Sequence, residues 1–163
     1  MTMADEPEII EIPTRSSPSL PAEPVDIDPE LLAKAEALVA GLRPQYLSWV
    51  REDLDRLQAT WESARATEIV QRAEAMRAAF AVAHDIKGQG GSFGYPLMTD
   101  IGAQLCRFLE AGGRFDDEAL EVVRLHIEAM RLVVADRMEG DGGDAGRKLM
   151  RGLQAVIVKT AGK

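Results

Sequence analysis

The chain is poor in the residues on which most enzymatic sites are built. A single cysteine, Cys106, stands among 163 residues. It excludes an internal disulfide and fits a reducing compartment. Two histidines and that one thiol are too few for a tetrahedral zinc site. Aromatic residues make up only 5% of the chain, and runs of alternating β-branched residues are scarce, which disfavours a sheet. No stretch approaches the ~18 consecutive apolar residues of a transmembrane helix. Positive charge is also lacking: the net charge is -8, which argues against nucleic acid or an anionic membrane as a partner. The N-terminus is acidic and without an apolar signal segment, so a cytoplasmic protein is expected.

Phosphate loops are missing too. G-x-G-x-x-G beginning at Gly88 would need glycine where Phe93 stands, and no G-x-x-x-x-G-K-[ST] occurs. The Asp141 and Asp144 loop lacks the ligand spacing and terminal Glu of a calcium loop.

What the chain does contain is Ala, Leu, Val, Ile and Met at helical spacing. Six of the eight prolines fall at positions 7, 13, 18, 21, 24 and 29, so residues 1–28 read as an extended or disordered acidic tail, with Ile9-Ile10-Glu11-Ile12 its one apolar patch. Residues 29–163 read as a helical domain. Asp28-Pro29 opens a first helix, with Leu31, Leu32, Ala35, Leu38, Val39 and Leu42 on one face. Arg43-Pro44 should interrupt it. A second helix carries the stripe Leu47, Val50, Leu54, Leu57, Trp61 and Ala64. Thr67 is expected to cap a third, which carries Ile69, Ala73, Met76, Phe80 and Ala83 inward. Gly94 should end that helix and Pro96 start the next, through Ile101 and Leu105 to Ala111. Asp116 or Asp117 caps a helix with Leu120, Val123, Ile127 and Met130 inward. A last helix covers about 145–159.

One stretch, Ala83-His84-Asp85-Ile86-Lys87-Gly88-Gln89-Gly90-Gly91-Ser92-Phe93-Gly94, carries the chemistry. His84 falls one position beyond the apolar stripe, about 100° around the helix. Lys87 and Gly88 follow at i+3 and i+4, on the same surface. A neighbouring ammonium disfavours a second positive charge, which leaves the ring a free lone pair and makes it a nucleophile. Lys87 can also hold the oxygens of an arriving phosphoryl group. Glycine in mid-helix costs about 1 kcal/mol against alanine, and at Gly88 its use is to clear the approach to the ring. Arg77, Ala81 and Gly91 share that face. The second histidine, His126, has no ligand partner nearby and reads as structural.

The run His84-x-x-Lys87-Gly88 with small residues at 90 and 91, then Phe93-Gly94, resembles the motif of histidine-containing phosphotransfer (HPt) domains, including that of chemotaxis histidine kinases. Ile101, Leu105 and Leu109-Glu110 stand where that family has its next amphipathic helix. The resemblance covers roughly residues 65–140. It implies an all-α fold, an antiparallel four-helix bundle at about 46–138 with flanking helices. It also implies that His84 is the phosphoacceptor, Lys87 its electrostatic partner and Gly88 the clearance residue. Partner binding would involve Arg77, Ala81, Gly88 and Gly91. Partners would be response-regulator receiver domains and an upstream hybrid histidine kinase, with the chain itself a monomer. No cofactor is expected on this chain, the Mg²⁺ ion belonging to the receiver. On the helix after the motif, Gln104 is the nearest polar side chain and faces elsewhere. His84-Asp85 also resembles the dimerisation helix of histidine kinases, but the following proline and an ATP-binding domain are missing, so phosphate must come from another protein. The alternative is a non-phosphorylated helical adaptor that regulates a receiver or kinase by binding.

Overall fold

The computed structural model describes residues 27–162, and the Ile9–Ile12 patch lies outside them. Five helices follow in order: α1 Pro29–Arg65, α2 Arg72–Gly90, α3 Pro96–Glu110, α4 Asp117–Ala135 and α5 Gly143–Ala161. Among the described residues there is no strand. α1 packs on α2 and α4, α2 on α3, and α3 on α4, which closes a four-helix ring. α5 lies outside it against α3 and α4.

The expected break at Pro44 does not occur. α1 runs unbroken for 37 residues with Pro44 inside it. Proline there removes the bond to the carbonyl of Ala40, a loss that costs most where the freed carbonyl is buried. Here every residue of 27–45 is exposed, so water can satisfy it. Asp28 holds the start, its carboxylate accepting from the Glu30 N–H at 2.9 Å. Arg43 is anchored as well, its guanidinium lying over Gly94, where a Cβ would approach it to 3.1 Å. The apolar face of 31–42 is therefore not core. Burial begins only at Tyr46 and continues through Val50, Leu54, Leu57, Trp61 and Ala64.

Thr67 does not cap α2. Its hydroxyl donates to the Ser63 carbonyl at 2.7 Å and so closes α1. A 3₁₀ turn at Ile69–Gln71 intervenes, and α2 starts at Arg72. The start of α2 has no side-chain cap, and Arg72, its buried first residue, anchors it instead. Arg72 donates to the Phe115 carbonyl at 3.0 Å and to Asp117 at 2.9 Å, tying the start of α2 to that of α4. The buried stripe of α2 includes Met76, Ala79, Ala83, Ile86 and Gly90, while Ala73 is exposed and Ile69 and Phe80 are half-buried.

The histidine helix stops sooner than expected: α2 ends at Gly90, a 3₁₀ turn at Gly91–Phe93 carries the chain on to Gly94, which is left-handed at φ 85°, and Pro96 then opens α3 as expected. Asp116 caps α4, accepting from the Ala119 N–H at 2.9 Å. Trp61 donates to the Leu120 carbonyl at 2.8 Å across the α1–α4 contact. α5 inserts Leu153 and half-buries Leu149 and Val156, while Arg147, Lys148, Arg151 and Lys159 face water.

Candidate functional site

α2 carries the site. Arg77, Ala81, His84, Gly88 and Gly91 are all exposed, and their spacing of four, three, four, three sets them along one helix face. The helix beneath is fixed by burial of its opposite stripe, so the His84 backbone is rigid while its ring meets solvent. The ring lies against Phe80, centroids 5.9 Å apart and planes tilted by 35°. No hydrogen bond to the imidazole is found among the described residues.

The glycines divide by role. At Gly88 a Cβ would meet nothing within 4 Å, so the fold has no internal need of glycine there. At Gly90 a Cβ would come to 2.8 Å from the Tyr95 carbonyl and 2.9 Å from the Thr99 N. Gly90 is thus required by packing, because the start of α3 sits directly on it. Gly91 leaves room for a Cβ, its nearest neighbour being 3.7 Å away. The sequence pattern alone does not separate these three.

Lys87 is half-buried beside the face. It makes no ion pair among the described residues, so its charge is uncommitted. Its stem is held by α3: a Cβ on Gly102 would stand 3.1 Å from the Lys87 backbone N, Cα and Cβ. Thr99 completes the clamp, its hydroxyl donating to the Lys87 carbonyl at 2.9 Å and accepting from the Gly91 N–H at 2.9 Å. Both were missed in the sequence. Gly102 had a signal, since it occupies the buried stripe of α3 at spacings of four and three from Met98 and Leu105, where an apolar side chain belongs.

Beyond this cluster the alternatives weaken. Gln104 is buried and donates to Gln154 on α5 at 2.8 Å, so it turns away from His84 as expected. Cys106 is buried, and burial pushes its thiol pKa up, which makes it a poor nucleophile. His126 is fully buried, with Nδ1 against the Val122 carbonyl at 2.7 Å, and is structural. No group of three or more His, Cys, Asp or Glu that could hold a metal occurs among the described residues. None of the described helices is long and apolar enough to cross a membrane.

The described residues thus bring an exposed imidazole, an ammonium without an ion pair and a glycine with open space beside it onto one stretch of α2. A family model described as Hpt domain matches residues 41–132, more than half of the chain. No curated protein and no solved structure matches it. The match begins just before the buried part of α1 and ends within α4, so it spans the four-helix ring. The chain belongs to the Hpt-domain family, the phosphocarrier modules of phosphorelay signalling.

Proposed function

We propose that His84 is the phosphoacceptor and that it exchanges a phosphoryl group with the aspartate of a receiver domain. In the forward step an imidazole nitrogen attacks the phosphorus of the receiver's aspartyl phosphate. A P–N bond forms, the acyl P–O bond breaks and the aspartate leaves as carboxylate; the reverse step returns the group. The transition state is loose, so in-line placement and charge neutralisation do most of the work. Lys87 supplies positive charge from this side, and the receiver brings its own Mg²⁺. The receiver lands on Arg77, Ala81, Gly88 and Gly91 around the ring, and an upstream hybrid kinase feeds the relay.

The observation that carries this reading is Gly88, an exposed glycine in the last turn of α2, one turn from an exposed histidine, with open space where a side chain would fit. Such a residue weakens the helix, and the fold gains nothing from it. A macromolecular surface that must reach the ring does.

The test is incubation of the full chain with a phosphorylated receiver. Acid-labile, alkali-stable phosphate on His84 is the expected product. H84A should fold as the native chain does and take up none. Retained labelling in H84A overturns the assignment. Binding of the receiver without any phosphate on His84 would instead favour the adaptor reading. K87A should still be labelled, but roughly tenfold to a hundredfold more slowly, about 1.4 to 2.7 kcal/mol of barrier.

A further inference from the structure

The first 17 residues of α1, 29–45, project from the bundle with every side chain exposed. At 1.5 Å per residue they reach roughly 25 Å beyond the ring. Most of the segment precedes the Hpt match at 41–132. A helix of this length holding Gly41 and Pro44 is marginal in water unless something covers it. Its apolar residues are ordered for cover. Leu31, Ala35, Leu38 and Leu42 recur at four, three, four, the period of a helix-pairing seam, with Leu32 and Val39 along one edge. Leu38 is 71% exposed and Leu31 62%. Seven residues past Leu42 the same line reaches Trp49, itself 42% exposed and edge-on to Phe93.

We propose that a second copy of the chain docks on this face, helix on helix and antiparallel. Two observations single out a second copy. The spacing is self-complementary: with the two-fold axis between residues 36 and 37, Ala35 shares a layer with Leu38 of the partner subunit, and Leu31 with Leu42 of the partner subunit. Symmetry then repeats each layer. Charge agrees. The chain as a whole carries -8, yet within 29–45 Glu30 and Glu36 balance Lys34 and Arg43. The projecting segment is therefore where two acidic molecules can meet without net repulsion. Antiparallel pairing also sets the two bundles at opposite ends of the helices, more than the ~8–10 Å over which salt screens charge. Area sets the strength. A strip about 30 Å long and 10 Å wide on each copy gives on the order of 600 Å² in total, short of the ~1,200 Å² of a standard stable interface. The dimer is accordingly reversible and concentration-dependent. The expectation of a monomer from the sequence then holds only for dilute chain.

Sedimentation equilibrium of the full chain, from low micromolar to millimolar concentration, tests this without any phosphoryl donor, so its result is separate from that of His84 labelling. The apparent mass should climb from that of one chain towards twice that value. The double variant Leu31→Glu with Leu38→Glu, whose sites are exposed, should match the helicity of the native chain at dilute concentration and stay at the single-chain mass throughout. A native chain that remains at the single-chain mass, or a double variant that associates as the native chain does, overturns the proposal. Orientation is read by oxidising a mixture of A35C and L38C, each also carrying C106S. Disulfides joining 35 to 38 should predominate; a predominance of 35–35 and 38–38 links overturns the antiparallel arrangement.

Discussion

Lys87 on α2 and Gly102 on α3 meet backbone to backbone: a Cβ on Gly102 would lie 3.1 Å from the Lys87 N, Cα and Cβ. This contact sets how near α3 stands to the site and where the lysine stem leaves the helix. Gly102→Leu would drive α3 outward. Overpacking of this kind costs about 1–3 kcal/mol, read as a fall in urea midpoint. It should also move Lys87, so transfer to and from a receiver should slow in G102L even at urea-free conditions where the variant is fully folded. A variant with native stability and native rate would show that the helices do not meet this closely.

Gly88 allows the opposite experiment. With nothing within 4 Å of a Cβ, Gly88→Ala should stabilise the chain by less than the ~1 kcal/mol that alanine gains over glycine in an exposed helix interior, because Gly88 lies in the last turn of α2. The same change intrudes on the approach to His84. Stability should rise while receiver affinity falls, and Gly88→Leu should weaken binding further. Unchanged affinity in both variants would remove the clearance role.

The sequence spoke clearly wherever one residue's backbone chemistry decides the outcome. Asp28-Pro29, Gly94, Pro96 and Asp116 each punctuate the chain where their geometry demands, and the His84-Lys87-Gly88 spacing survives as a shared helix surface. It misled at Pro44, because a proline's cost depends on whether the carbonyl it frees can reach water, and exposure of 27–45 is a property of the assembled bundle. It misled at Thr67 because a buried Arg72, bonded across to Phe115 and Asp117, anchors α2 in the cap's place. An apolar stripe such as Leu31 to Leu42 is the same string whether it packs inside its own chain or waits for another. Gly90 and Gly88 likewise look alike until the position of α3 is known.

His126 gives the chain a pH-sensitive core. It is 0% exposed. The Val122 carbonyl accepts at 2.7 Å, which makes Nδ1 the protonated nitrogen, and Nε2 has no partner among the described residues. Burial therefore pushes its pKa below the ordinary 6.5, with the Val122 bond pulling partly the other way. In the unfolded chain the ring takes up a proton below about pH 6.5, while in the folded chain it resists. Stability from this group is full above that value and is lost as pH falls beneath it, by up to about 1.4 kcal/mol per pH unit. Carboxylates begin to titrate lower, near pH ~4, so the interval from about 6.5 to 5.5 isolates the histidines. Urea midpoints should drop across it in the native chain. In His126→Met, a residue of similar volume that does not titrate, the slope should vanish. A slope that persists in H126M would place its source elsewhere than α4.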